Sequence, residues 1–321
     1  DENSVTDSVH NEGTININNP GTDYTYDGKV IFSAVTDNDT PKGIMNIYSG
    51  NVEVKDDFTQ NTVMNNGTLS FKKDLKYFDE DIWGYVAIPT YEKTANINNL
   101  AGSGTLNIYG GNVNIKNDIT QKNINIMNDG TLGLIDGKTS TVTVDNFAMS
   151  KDARLNIDVD LTNKDTGDYA DYQKSDRIIA SAISNIIDNN IATGKVTIHV
   201  GKTNIFNIPE TLADGTKIKL FDGEGVNNNL KIADFAEVYG DGTYYMFIQD
   251  GYNYGDLKVI KGTGNPSLNN DEPDLPEQVW TLPQIISGGV LGDVDITAYN
   301  LTKDETLTQS LGSLGNGLSQ T

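Results

Sequence analysis

The sequence predicts an all-β protein built as a parallel β-helix, a solenoid of short stacked strands, with a short helical insertion and an extended C-terminal segment. Three observations lead there. The first is repetition: Gly43–Gln60 and Gly104–Gln121 agree at 11 of 18 positions, "GIMNIYSGNVEVK" against "GTLNIYGGNVNIK" at their starts. The second is alternation, with apolar residues at every other position of runs about five residues long, the period of a half-buried strand. The third is punctuation by Gly, Asn and Asp, which turn the chain at little steric cost.

The repeat also sets a scale. The element Asn-x-Gly-Thr-[Ile/Leu] begins at Asn11, Asn65 and Asn128, separated by 54 and 63 residues. Those gaps read as two or three coils of rungs about 20 residues long. One such rung cannot bury its apolar face alone, and neighbours of the same shape complete the core. An antiparallel sandwich uses the same alternation; the long-period repeat favours the solenoid.

Along the chain, residues 1–42 read as an N-terminal cap and first rungs, and residues 43–260 as the repeat domain. In "TLNIY" Leu106 and Ile108 share one face, and in "NVNIK" Val113 and Ile115 do the same. "STVTVDNF" aligns Val142 with Val144. "RLNIDVDL" aligns Leu155, Ile157, Val159 and Leu161 opposite Asn156, Asp158 and Asp160. Two insertions interrupt the pattern. Leu75–Tyr91, aromatic-rich, reads as a loop or hairpin. Ser175–Asn190 has apolar pairs at 178/179, 182/183 and 186/187, the spacing of one helix face, with Ser175 or Asp176 placed to cap it. Strands resume at Gly194–Val200, Thr216–Gly223 and Thr243–Gly251. Half of the eight prolines lie between Pro266 and Pro283, so 261–284 reads as a linker. Residues 285–321 read as one or two strands and a Gly/Ser-rich tail.

Composition narrows the function. The net charge of −22 over 321 residues, with a pI near 4.3, repels nucleic-acid phosphates and anionic membranes. With no cysteine there is neither a disulfide framework nor a thiolate metal site. No apolar run approaches the length of about 18 residues that spans a bilayer, and the start "DENSVTDSVH" has no basic and hydrophobic leader.

Repeated "NxGTL.I" and "G.V.I" rungs, followed by "ARLNIDVDL…SDRI" and "ATGKVTIHV", resemble the distal passenger region of bacterial autotransporters and related surface adhesins. The matching positions are Leu155, Ile157, Asp160, Leu161, Ser175, Asp176, Ile178, Gly194, Val196 and Ile198, within a likeness covering about residues 10–260. The resemblance implies a right-handed parallel β-helix at the bacterial cell surface. The family's C-terminal membrane barrel has no counterpart in this sequence, which suggests either a trimmed chain or a free-standing secreted relative.

Catalytic chemistry finds little support. The two histidines, His10 and His199, fall in the N-terminal segment and in a strand, and no nucleophile elbow, P-loop or H-E-x-x-H occurs. Carboxylate pairs that could act on a sugar are Asp158/Asp160 and Asp79/Glu80/Asp81. Such sites also need Arg or Lys near the acids, and the sequence has just two arginines, Arg154 and Arg177. No catalytic or cofactor-binding residue is assigned. A loosely held calcium ion is the one cofactor these loops could offer, at Thr36–Thr40, Phe78–Gly84 or Thr162–Asp171, none of which fits the EF-hand spacing. Tyr244/Tyr245 and Tyr252/Tyr254 would give sugar-stacking faces if exposed.

Two functions stand. One is a non-enzymatic structural or adhesive surface protein that self-associates, with Gln284–Leu301 docking on a neighbour's strand edge, or that contacts host or matrix. The other is a carbohydrate-active enzyme or glycan-binding protein. A groove where acids, a basic residue and aromatics converge would carry the second; a flat surface of Asn and Thr would argue against it.

Overall fold

A computed structural model describes residues 3–6, 8–18, 29–32, 34–38, 40–71, 76–79, 84–87, 94–164, 172–187, 190–213, 215–268, 279–281 and 295–297. The chain forms two compact units, Asp1–Asn270 and Asp271–Thr321.

Among the described residues there is no helix, and 25 strands of the first unit join in one sheet. Through Phe206 most pairings are parallel, and they resolve into three ladders. The first runs through Asn3–Thr6, Lys29–Phe32, Asn51–Val54, Thr68–Phe71 and Thr105–Ile108, then the later halves of Ile119–Ile126, Thr141–Ser150 and Arg177–Ile187. The second runs through Val9–His10, Val35–Thr36, the first halves of Phe58–Asn65 and Thr94–Ala101, Asn112–Ile115, Thr131–Gly133, Arg154–Lys164 and Val200–Phe206. The third takes Thr14–Ile17, Ile44–Ile47, the remaining halves of the long strands and Phe221–Asp222. The chain passes from the first ladder to the second, then the third, and returns to the first.

This register turns the alternation of the sequence into continuous columns. Val52, Leu69, Leu106, Ile124 and Phe147 follow one another in the first ladder. Phe58, Ala95, Val113, Leu132 and Leu155 do so in the second. Met45, Val63, Leu100, Ile119, Val142, Ile178 and Phe221 form the third. All are buried, and each Val, Leu, Ile, Met or Phe among them contributes about 1.5–3 kcal/mol of transfer free energy. On the opposite face, amides bond from coil to coil. Asn114 donates to Asn96 at 3.1 Å, Asn125 to Asn107 at 2.8 Å and Asn146 to Asn123 at 2.8 Å.

The repeat has a different meaning from the one its spacing suggested. The three Asn-x-Gly-Thr copies precede strands on three different ladders: Thr14 opens a strand of the third, Thr68 of the first and Thr131 of the second. The repeated segments are likewise displaced by one ladder. Ile44–Ile47 lies in the third and its copy Thr105–Ile108 in the first; Asn51–Val54 lies in the first and Asn112–Ile115 in the second. The gaps therefore do not return the chain to the same ladder. The spacing between stacked amides varies, at 18, 23 and, across the insertion, 37 residues.

The motif is held by a buried amide pair. Asn11 donates to Gln60 Oε1 at 2.6 Å, and Asn65 donates to Gln121 Oε1 at 2.8 Å. In each case the Asn Oδ1 accepts from the Gly N–H two residues on, and its Nδ2 also reaches a strand carbonyl, of Ile44 or Thr105. Gly43 and Gly104 sit against these pairs. A Cβ on Gly43 would lie 2.6 Å from Gln60 Oε1, and one on Gly104 2.6 Å from Asn65 O, so only glycine lets the coils close. The third copy lacks a glutamine partner: Asn128 adopts φ 52° and donates to Tyr109 O.

Four expectations are corrected or refined. Among the described residues of Ser175–Asn190 there is no helix: Arg177–Ile187 is a strand, parallel to Thr141–Ser150 over nearly its whole length. Ile178 and Ala180 are buried, the chain turns a corner at Ser181, and Ile183 then lies opposite buried Phe147. A corner shifts the inward parity by one, so two short strands imitate helical spacing. The insertion contains an antiparallel hairpin, Lys76–Asp79 with Gly84–Ala87, in a sheet of its own. The three ladders end at Ile187, Phe206 and Asp222, short of residue 260, and one further parallel pair, Val196–Ile198 with Leu230–Ile232, forms a two-stranded sheet of its own. Lys217–Lys219, which also pairs parallel with Tyr172–Ser175, joins Asp256–Thr263, Thr243–Gln249 and Phe235–Val238 in antiparallel pairings around stacked Phe235 and Phe247, 4.7 Å between ring centroids. In the second unit Val279–Thr281, inside the expected linker, pairs antiparallel with Asp295–Thr297.

Candidate functional site

The acids singled out in "RLNIDVDL" are buried, not displayed on an outer face. Asp158 and Asp160 are fully buried because Val200–Phe206 stacks on their strand as the next parallel neighbour and Tyr172–Ser175 pairs on it antiparallel. Every one of their oxygens is engaged. Asp158 Oδ2 accepts from the backbone N–H of Asp136 and of Gly137, both at 2.7 Å, and Oδ1 from Asn204 Nδ2. Asp160 accepts from the Thr162 N–H and hydroxyl, both at 2.9 Å, and from Asn207 Nδ2 at 3.0 Å.

A third carboxyl completes the cluster. Asp176, expected as a helix cap, is also fully buried and accepts from the N–H of Ser140 and of Asp158, each at 2.6 Å. Burial pushes its pKa up to about 8; the two backbone donors oppose the rise, and Asp158 and Asp136 add to it. Asp136 is also raised, by burial and the nearby Asp158, against the Lys138 N–H. The group clasps the 136–140 turn to the strands at 158 and 204. The Asp158 and Asp160 carboxyls are buried and their oxygens are taken up by these hydrogen bonds.

The remaining candidates stand apart. Asp79 lies in the hairpin strand, and Glu80 and Asp81 fall outside the described residues. His10 is exposed beside Glu12 at 3.1 Å, and the His199 carbonyl accepts from Leu155 N–H. Arg154 Nη1 donates to its local carbonyls of Lys151 and Ala153. In Thr36–Thr40, Asp37 accepts from its own loop, the N–H of Asn38, Lys42 and Gly43, which hold its pKa below the usual value although desolvation opposes them. Most of the other two calcium candidates lies outside the described residues, and among those described no group of three acids or histidines is placed to hold a metal. Tyr244 and Tyr245 take opposite faces of one strand. Tyr245 is buried edge-on to Tyr239, Tyr254 packs on the core, and Tyr252 is exposed, so the four make no common platform.

Residues missed in the sequence form a second charge network around two buried aspartates. Lys217 Nζ meets Asp250 at 2.6 Å and Lys219 Nζ meets Asp256 at 3.2 Å, with Lys258 3.7 Å from Asp250. Burial pushes the Asp250 carboxyl up, but the Lys217 ammonium, the Tyr252 N–H and Lys258 hold it below the usual range. The Lys-Ile-Lys alternation was the available signal; its acidic partners lie 33 and 37 residues on and required the antiparallel register.

The surface feature left is polar. Two open depressions lie on the corner that carries the chain from the second ladder to the third. One is lined by Asp37, Asn38, Thr40 and Lys42. The other is lined by Asn61, Asn98, Asn99 and Asn117, together with Lys116, Asp136 and Lys138. Asn98 donates to Asn61 Oδ1 at 3.1 Å, and Asn117 donates to Asn99 Oδ1 at 3.0 Å and to the Asn98 carbonyl. Among the described residues, no aromatic side chain lines either depression. No protein-family model, curated protein or solved structure matches the chain.

Proposed function

We propose that this chain is a non-enzymatic, extracellular structural or adhesive protein of the bacterial cell surface. In this reading the ladders are the sides of a right-handed parallel β-helix, a solenoid of the autotransporter-passenger kind, that serves as a rod for self-association or for contact with host or matrix. The observation that carries it is the three-ladder register, with apolar columns inside and amide columns outside continuing from coil to coil. A framework of this kind repeats a shape; the acids that might have served chemistry are consumed in holding it. The absence of an aromatic from the acid- and lysine-bearing depression further weighs against sugar processing, since substrate positioning there would lack a stacking surface.

Self-association is assigned to the C-terminal segment, whose residues Gln284–Leu301 would add to a strand edge of a neighbouring copy, head to tail. Sedimentation and electron microscopy of the full chain and of a chain lacking Gln284–Thr321 test it. Filaments or oligomers that disappear on deletion are expected; assemblies unchanged by the deletion, or a full chain that stays monomeric at all concentrations, would refute the docking role.

A further inference from the structure

We propose that Lys219 and Asp256 condense into an intramolecular isopeptide bond, with Asp250 carrying the proton. Lys217–Lys219 and Asp256–Thr263 are antiparallel neighbours, and their register sets Lys219 directly opposite Asp256. Opposed residues of antiparallel strands project from one face, with Cβ atoms about 4.5–5.5 Å apart. Lys219 Nζ accordingly lies 3.2 Å from Asp256 Oδ1, and the two side chains are only 9% and 0% exposed. Asp250, fully buried, follows in the same row: its N–H donates to the Asp256 carbonyl at 2.8 Å, and its carboxylate meets Lys217 and Lys258 on that face. The row thus holds an amine, the carboxyl that would acylate it, and a second carboxylate beside them.

Backbone contacts hold the pair in place. The Lys219 carbonyl accepts from buried Ser175 Oγ at 2.9 Å, and the Asp256 N–H donates to Asn253 O at 2.9 Å. The flanking Ile218, Leu220, Phe221 and Leu257 are fully buried, so little water competes. Away from water a neutral pair costs less to desolvate than an ion pair, and the Lys219 ammonium passes a proton to the Asp256 carboxylate. The amine lone pair then attacks Asp256 Cγ. In the tetrahedral intermediate Asp250 takes a proton from Nζ and returns it to the departing hydroxyl. The C–O bond breaks, the C–N bond is complete, and one water leaves with no change of oxidation state. Against the effect of burial, Lys217 and Lys258 keep the Asp250 carboxyl below its usual range, ionised and able to accept that proton. Amide condensation is unfavourable between free reactants in water, but reactants held about 3–3.5 Å apart reach effective molarities of about 10⁵–10⁸ M. Lys217 and Asp250 are closer, at 2.6 Å, yet that lysine side chain is 31% exposed and its carboxylate is shared with Lys258, which favours the ion pair there.

The bond fastens the antiparallel sheet to Tyr172–Ser175, the parallel neighbour of Lys217–Lys219, whether or not the chain self-associates. Intact-mass spectrometry of the folded full chain tests it. The wild-type chain should be lighter than its sequence by one water and should keep that mass in denaturant. Trypsin should spare Lys219 and release a branched peptide joining residues 218–231 to residues 232–258. Lys219→Arg and Asp256→Ala should each show the full mass of their sequences, with circular dichroism checking that each is folded. In freshly synthesised chain, Asp250→Asn should lose water about a hundredfold more slowly than wild type. A folded wild-type chain at its full sequence mass overturns the proposal whatever the variants do, and leaves an ordinary ion pair. Loss of water that persists in Lys219→Arg, or a branch mapped to another pair of residues, overturns it as well. Equal rates in Asp250→Asn and wild type overturn the role of Asp250.

Discussion

Replacing Asn65 by alanine removes one side chain and three hydrogen bonds. Its amide nitrogen gives up Gln121 Oε1 at 2.8 Å and Thr105 O at 2.9 Å, and the Gly67 N–H loses its acceptor at 3.2 Å. A typical intramolecular hydrogen bond contributes a net of about 1 kcal/mol, and a buried acceptor left without a donor costs about 1–3 kcal/mol more. Gln121 is buried, and its own amide nitrogen is committed to Thr120 O, so it has little freedom to find another donor. The expected cost is therefore about 4–6 kcal/mol. Urea unfolding of the full chain, followed by far-ultraviolet circular dichroism, measures it as a fall in midpoint at constant m-value. Asn65→Ala and Gln121→Ala combined should cost less than their sum, with a coupling of about 0.5–3 kcal/mol. Asn128→Ala, in the copy without a glutamine, should cost only about 1–2 kcal/mol from one bond and a left-handed backbone. Equal costs for Asn65→Ala and Asn128→Ala, or strict additivity with Gln121→Ala, would refute the buried amide pair as the reason for the motif.

Two further outcomes are expected. The Asp176 carboxyl has a folded-state pKa raised from 3.8 to about 8, so between these values the native state holds a proton that the unfolded chain releases. Its contribution is full below about pH 4 and is lost as pH rises through 8; urea midpoints should fall between pH 5 and pH 9, the slope should vanish in Asp176→Asn, and midpoints that rise over this range would contradict the assignment. Gly104→Ala places a Cβ 2.4 Å from Gly67 O and 2.6 Å from Asn65 O, backbone atoms that cannot swing aside, and should cost about 1–3 kcal/mol or more. Gly13→Ala, whose nearest neighbour would be Asn11 Oδ1 at 3.8 Å, should melt within about a degree of wild type; similar melting shifts for the two would remove the close-approach argument.

Local grammar alone was enough to read which residues face inward. Leu106, Ile108, Val113 and Ile115 are buried as their alternation requires, and the glycines at 110 and 111 lie between the two strands they form. This was legible because a strand's period of two is a property of the backbone and needs no partner. The all-β character followed for the same reason. The failure at Ser175–Asn190 was also local: a corner inside a run of isoleucines shifts the inward parity by one, and two parities in succession imitate a helix.

What the sequence could not show was which copy stacks on which. The repeat at Gly43 and Gly104 was plain, yet only the register revealed that the copies lie on different ladders, because a motif that serves any corner carries no label for its side. The same holds for the candidate site. Asp158 and Asp160 read as outward acids until a strand more than 40 residues later covered them, and the polar corner joins Asn61, Asn98 and Asn117 across separations that no local pattern encodes. The sequence by itself determined the strands, their inner faces and the acidic character of the surface, because those depend on neighbours along the chain. The tertiary structure decided the order of stacking, the burial of the carboxyls and the line of amides on one corner, because those depend on which distant coil comes to lie one strand spacing away.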